Sequence, residues 1–308
     1  MKDFAKDRLR LAVVQDCPVF FDKSETVKQV VRKIEEAASE GAEFIVFPEA
    51  YIPGYPYGLT FGFTVGARTE DGRKDWKLYY DNSVLVPSEE TRFIGETAKE
   101  SGVYVSVGIT ERDSVNASLY CTQLLFGPDG EILSKHRKIK PTGAERFIWA
   151  DGQEGFFPAP DTPWGKVGTL ICWENYMILA RAALYQKGIS IYLAPNTNDN
   201  PEWLSTMVHI AVESHCFVVN AGMLLYRDRY SSTLRLRDEI ERLSDIPIRG
   251  GSCIIDPYGH TIAGPVFDRP EILYADFNLQ MVPESRMEFD GIGHYSRPDL
   301  LHLDAKEG

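Results

Sequence analysis

Gly165-Lys-Val-Gly-Thr-Leu-Ile-Cys172, followed at once by Trp173-Glu174-Asn175 and a helical pattern over 176–187, is the stretch on which the reading of this chain turns. Its first part is an apolar run of strand length, and its last part carries helical spacing. A thiol at the end of a buried strand, facing a helix N-terminus, can be both reachable and activated. The helix start carries about half a positive charge, which favours a thiolate. A cysteine in that place is either a reaction centre or an ordinary buried apolar residue. The segment alone leaves both readings open.

Outward from it, strand-length apolar runs alternate with helical patterns. Residues 9–15 read as a first strand. Ser24 can cap a helix whose apolar face is Val27, Val30, Val31, Ile34, Ala37 and Ala38, and Gly41 ends it. A short apolar strand over 44–48 is followed by Glu49. Ser88 opens a helix that ends near Gly102, and 103–109 is a strand. Runs at 119–126 and 131–134 flank Gly127-Pro-Asp-Gly130, a hairpin signal. Strands at 189–194 and 216–220 enclose a helix at 203–214, and strands near 252–256 and 272–277 finish the core. This alternation implies a mixed sheet covered by helices. Two long stretches, 50–86 and 226–250, read as loops that cover a site or an interface.

Composition bounds the partners. A chain of 308 residues with 44% apolar content has an ample core. It reads as a single domain over 1–308, with the core at about 9–280 and a tail at 281–308. The net charge of −12 argues against a nucleic-acid or acidic-membrane partner and suits a cytoplasmic protein. Five cysteines without a Cys-x-x-Cys pair read as reduced thiols. The N-terminus is charged and lacks the apolar stretch of a signal peptide. No run approaches the roughly 18 apolar residues that span a bilayer. His209 and His215 do not share a helix face, so no metal is expected, and no cofactor is called for.

Three polar residues stand at strand ends or beside prolines. Glu49 follows Phe44-Ile-Val-Phe-Pro48, Lys138 lies in His136-Arg-Lys-Ile-Lys-Pro-Thr142, and Cys172 ends its own run. Strand C-termini gather at one edge of an α/β sheet, where ligands bind. A free thiol with a pKa near about 8.5 is only about 3% thiolate at neutral pH. A neighbouring carboxylate can take its proton, and an ammonium can balance charge that develops on the substrate. Each residue has a plainer reading. Glu49 could be a cap or a salt-bridged carboxylate, Lys138 part of a solvated basic face, and Glu145 a salt-bridge partner of Arg146 or Lys140.

Phe47-Pro-Glu-Ala, His136-Arg-Lys-Ile-Lys-Pro-Thr-Gly-Ala-Glu-Arg146 and Cys172-Trp-Glu-Asn175 resemble the three signature segments of the nitrilase superfamily of carbon–nitrogen hydrolases. The Cys-Trp-Glu-Asn form resembles the nitrilase branch. Gly54-Tyr-Pro-Tyr-Gly-Leu-Thr-Phe-Gly62, Tyr79-Tyr-Asp-Asn-Ser-Val-Leu-Val-Pro87 and the tail Gly293-His-Tyr-Ser-Arg-Pro-Asp-Leu-Leu-His302 agree. The resemblance implies an α/β fold, a four-layer αββα sandwich, with a catalytic Glu49-Lys138-Cys172 triad and Glu145 as a second glutamate. It implies hydrolysis of a small-molecule nitrile to acid and ammonia through a thioimidate and a thioester on Cys172. It also implies a homodimer or a larger, even spiral, homo-oligomer. Lys140 competes with Lys138, but the family pattern points to the lysine directly after Arg137. The segment Ala194-Pro-Asn-Thr-Asn-Asp-Asn-Pro201 departs from the family's usual pair after Ala-Pro.

Tyr51, Tyr57, Trp149, Trp173, Asn196 and Trp203 are the expected substrate contacts, and the aromatic ones suggest an apolar or aryl nitrile. Three rival readings remain. They are an amidase or N-carbamoyl amidohydrolase of the same superfamily, a papain-type thiol hydrolase using His136 or His215, and a catalytically inactive assembly protein that forms filaments.

Overall fold

A computed structural model describes residues 4–306. In chain order the elements are β1 (Arg8–Gln15), α1 (Lys23–Ser39), β2 (Phe44–Val46), α2 (Glu70–Asp81), α3 (Glu89–Ser101), β3 (Tyr104–Arg112), β4 (Leu119–Phe126) and β5 (Ile132–Arg137). The second half holds β6 (Asp161–Thr162), β7 (Gly165–Thr169), α4 (Ile178–Gln186), β8 (Ile189–Asn196), α5 (Pro201–Ser214), β9 (Phe217–Gly222) and β10 (Leu224–Leu225). It closes with α6 (Arg237–Glu241), β11 (Ile248–Ile255), β12 (Thr261–Phe267), β13 (Glu271–Asn278) and α7 (Met281–Ser285).

The alternation read from the sequence is present, but it builds two sheets where residue patterning alone gave one. One sheet has the order β13-β1-β2-β3-β4-β5, and the other β10-β11-β9-β8-β7-β6 with β12 paired to β11. Period-two burial explains the split. Leu9, Leu11 and Val13 of β1 pack inward with Ile191, Leu193, Phe217 and Val219 of the other sheet. Ala12 and Val14 face outward to Val30 and Ile34 of α1 and Ile94 of α3. Both faces of the strand are therefore apolar, as a strand buried between layers requires. Phe217 and Phe277 stack across the two sheets with centroids 4.1 Å apart. On the far side Ala180 and Leu184 of α4 and Met207 and Ile210 of α5 cover the second sheet. The layers run α, β, β, α, as the resemblance implied.

Local corrections have local causes. α1 is capped by Asp22, whose carboxylate accepts from the Glu25 N–H at 3.0 Å, and Ser24 lies inside the helix. Such a cap contributes about 1 kcal/mol. Ser88 does cap α3 through a capping box, and Gly102 ends it in the left-handed conformation. The stretch 50–86 contains α2, and 226–250 contains α6 and the start of β11. These two stretches dock on each other. Asp75 accepts from the Arg235 and Leu236 N–H groups, and Glu239 accepts from the Thr60 N–H. Their order comes from pairing between segments distant in sequence, which no local pattern records. No helix among the described residues is long and apolar enough to cross a membrane.

Candidate active site

Four strand ends deliver polar side chains to one place. Glu49 follows β2, Lys138 follows β5, Cys172 follows β7 and Thr197 follows β8. Two of those strands belong to each sheet, so the site lies where the sheets' carboxyl ends meet. Gly108 makes room for the first turn. A Cβ there would lie 2.1 Å from the Pro48 carbonyl oxygen and 2.6 Å from the Ala50 nitrogen. Gly152 does the same beside Lys138, where a Cβ would lie 2.8 Å from the Lys138 carbonyl oxygen.

β7 stops at Thr169, and Cys172 opens a single 3-10 turn, Cys172–Tyr176. Its φ of +49° is in the left-handed region, which a non-glycine residue enters at a cost of about 1–3 kcal/mol. Surrounding bonds hold it there. Asn175 Nδ2 donates to the Leu170 carbonyl at 3.0 Å and to the Cys172 carbonyl at 2.7 Å, and Tyr192 Oη donates to Asn175 Oδ1 at 2.6 Å. This corrects the expected strand end at Cys172 and helix start at 176. α4 starts only at Ile178, and a one-turn helix sums few peptide dipoles. Burial pushes the Cys172 thiol up, the Glu49 carboxylate adds to the push, and Lys138 and the Thr197 main-chain N–H oppose it without winning.

Lys138 is fully buried, and its Nζ donates to Glu49 Oε1 at 2.6 Å and to Glu145 Oε2 at 2.8 Å. Burial disfavours that charge, but Glu49, Cys172 and Glu145 outweigh it and hold the ammonium well above its ordinary range. Burial raises the Glu49 carboxyl, Lys138 pulls it back, Glu145 pushes again, and the net direction is up. Glu145 is tied by Tyr55 Oη at 2.7 Å and the Thr142 N–H at 2.6 Å. Glu49 also accepts from the Cys121 thiol on Oε1 and from Thr197 Oγ1 on Oε2, each at 3.4 Å. Lys140, the competing lysine, is a half-exposed partner of Asp151 at 2.5 Å. The arrangement joins a protonated thiol, a carboxylate of raised basicity and a fixed ammonium. It can take a proton from sulfur and offset negative charge a few ångströms away.

A second buried pair braces the same loops. Glu174 Oε1 accepts from the Ile139 N–H at 2.6 Å, and its Oε2 accepts from the Ile171 N–H at 2.6 Å and from His136 Nε2 at 2.9 Å. His136 Nδ1 donates to the Gly155 carbonyl at 3.0 Å. Both ring nitrogens thus face acceptors, which requires the imidazolium. One carboxylate pins the Lys138 segment to the Cys172 segment, and His136 has no nitrogen left for a papain-like role. His215 turns its Nδ1 to the Pro257 carbonyl at 3.1 Å.

The expected substrate contacts scatter. Trp149 is buried, with Lys138 Nζ 6.0 Å from its ring and Tyr55 edge-on at 5.5 Å. Trp173 is half exposed beside Cys172 and meets Tyr176 edge-on. Tyr51 is buried against Phe47, and that burial holds its hydroxyl well above the ordinary range. Tyr57 is exposed, and its carbonyl accepts from Tyr230 Oη. Asn196 donates to Asn220 Oδ1 at 2.6 Å and accepts from the Asn198 N–H at 2.9 Å, which shapes the loop that carries Thr197. Trp203 donates to Asn220 inside the outer core under α5. Tyr55, Cys121, Thr197 and Glu174 touch the site or brace it and were not singled out from the sequence. Three of them lie inside segments quoted above. Cys121 sits in a strand buried along its whole length and gives no local signal.

The sequence profile of the family described as carbon-nitrogen hydrolase matches residues 10–287. An aliphatic nitrilase of Sinorhizobium fredii (strain HH103) is 43% identical over 302 residues, 97% of this chain and 96% of that protein. Nitrilase 2 of Arabidopsis thaliana is 42% identical over 303 residues, 97% of this chain and 89% of that protein. Among solved structures, Saccharomyces cerevisiae Nit3, a member of branch 10 of the nitrilase superfamily, superposes with a TM-score of 0.75 at 21% identity, covering 96% of this chain and 99% of that one.

Proposed function

The chain belongs to the carbon–nitrogen hydrolase family and is a nitrilase, and from that premise we propose which residues carry its chemistry. Glu49 takes the Cys172 proton as the sulfur attacks the nitrile carbon. The new C–S bond forms as one C≡N π bond breaks, and the proton held by Glu49 passes to nitrogen to give a thioimidate. Glu49, again ionised, takes a proton from water as the water oxygen adds to the same carbon. That proton moves to nitrogen, the proton of the added hydroxyl follows it, and ammonia leaves as the C–N bond breaks and the C=O of a thioester forms. A second water, deprotonated in the same way, releases the carboxylic acid, and the departing sulfur regains its proton. Departure of sulfur before nitrogen gives the amide instead. Lys138 stays an ammonium throughout and offsets negative charge on nitrogen and then oxygen. Glu145 holds Lys138 in place.

The observation that carries this reading is the Lys138 ammonium shared between Glu49 and Glu145 at 2.6 and 2.8 Å beside a buried thiol. Trp149, Tyr55 and Trp173 are the aromatic walls we assign to the substrate, which favours an apolar nitrile. The test is a panel of butyronitrile, benzonitrile and phenylacetonitrile, with ammonia, acid and amide quantified separately. Acid and ammonia in equal amounts are expected, with both lost in Glu49→Gln. Turnover of the matching amides but of no nitrile would move the assignment to the amidase reading.

We also propose that the protein self-associates. Trp173, Tyr176, Met177, Ile178 and Leu179 expose apolar surface directly after Cys172, with Ile178 69% and Leu179 68% exposed. A second copy of the same chain, covering this face, would brace the cysteine turn from outside.

A further inference from the structure

We propose that Cys121 and Thr197 are positioning residues for Glu49: each donates to a different carboxylate oxygen, and together they hold the base ionised and oriented toward the Cys172 sulfur. The proposal rests on the reading of Glu49 as the general base.

An ionised carboxylate accepts at about four lone-pair sites, and in a dry site each one left empty is a cost. Lys138 fills one site on Oε1 but is shared with Glu145. Cys121 Sγ fills a second on Oε1, and Thr197 Oγ1 is the donor on Oε2. Among the described residues neither side chain has another hydrogen-bond acceptor, so neither donor is divided. Neither donor brings a charge, so the two orient the base without adding to its ion pair.

Each residue also reaches a second reacting group through its main chain. The Cys121 carbonyl accepts the Lys138 N–H at 2.8 Å, and the Thr197 N–H opposes the rise of the Cys172 thiol. Cys121 lies on β4 and Thr197 directly after β8, so each sheet contributes one donor. Burial, reinforced by Glu49, holds the Cys121 thiol well above its ordinary range, and it therefore remains a donor. The titratable groups around Glu49 are Lys138 and Glu145, Cys121 from β4, Cys172 after β7, and Tyr55 from the turn after β2. A cysteine that merely filled core volume would affect stability and leave the base untouched.

The test uses Cys121→Ala, Cys121→Ser, Thr197→Val and Thr197→Ser. Two readouts are taken against pH: turnover of phenylacetonitrile, and the rate at which iodoacetamide alkylates Cys172, mapped by mass spectrometry. A donor to the carboxylate favours its charged form, so removing one raises the Glu49 pKa and moves the acid limb to higher pH. Cys121→Ala and Thr197→Val are expected to move that limb up by about half a unit and to lower kcat about tenfold, with KM within about twofold. Both serine variants are expected to restore the limb. Glu49→Gln should remove it from the alkylation profile. If it does, while Cys121→Ala and Thr197→Val change only the thermal midpoint, the positioning role is overturned and the base stands. If the limb survives Glu49→Gln, the reading of Glu49 itself fails.

Discussion

Two buried ion clusters sit side by side in this protein, and their carboxylates are tuned in opposite directions. His136 and Lys138 lie two residues apart, as do Cys172 and Glu174, yet Glu49 is pushed up and Glu174 is pulled down. Burial raises both. Glu174 overcomes it with an imidazolium and two main-chain N–H groups at 2.6 Å. Glu49 shares its one cation with a competing carboxylate and has two weaker donors at 3.4 Å. The first cluster has short donors and a cation of its own and resists protonation, so it serves as a brace. The second has as many donors, but two are long and its cation is shared, so it remains basic and can accept a proton at its moment of use. Buried charge alone does not mark a reactive group; the shortfall in its solvation does.

The largest break in this comparison comes from the sulfur. Cys172→Ala should lower nitrile turnover by about 10⁴-fold or more in an ammonia-release assay, with the fold intact by circular dichroism. Glu49→Gln comes next, with kcat down about 10²- to 10⁴-fold. Its urea midpoint should stay level or rise, because an under-solvated charge is removed and Lys138 keeps Glu145. Glu174→Ala should do the reverse in stability. It leaves an imidazolium and two main-chain N–H groups buried without their acceptor, which costs about 3–5 kcal/mol in urea unfolding. Equal midpoint shifts in the two variants would erase the distinction.

Smaller effects sharpen it through pH. The acid limb of kcat/KM should lie above the ordinary carboxylate value of 4.5, because Glu49 is raised and the base form is lost below its folded pKa. The brace has its own window. Glu174 is lowered from 4.5, so its contribution is present above that value and fades as pH falls through the folded pKa. His136 is raised from 6.5, so its contribution is full below that value and fades as pH rises through the folded pKa. The stability difference between wild type and Glu174→Ala should therefore be greatest between 4.5 and 6.5. Urea titrations across pH read it directly.

Much of this was legible in the chain. Apolar runs located most strands, Ser88 and Gly102 marked both ends of α3, and Glu49, Lys138 and Cys172 stood out as polar residues directly after strands. The pairing of two sheets was not legible from periodicity. A strand buried on both faces has no alternation to read, and only the family resemblance supplied the αββα layering. Residues 50–86 and 226–250 hid their helices because each is stabilised by the other. Asp75 capping the Arg235 turn is a tertiary fact. Thr197 and Cys121 were opaque for a related reason. A hydroxyl and a thiol become part of a site only when another strand brings a carboxylate to them.

The most direct measurement is mass spectrometry of protein quenched during turnover of phenylacetonitrile. The account predicts a thioimidate or thioester mass on the peptide carrying Cys172 in the wild type, and none on that peptide in Glu49→Gln. Sustained ammonia release with Cys172 unmodified, or an adduct confined to another thiol, would contradict it.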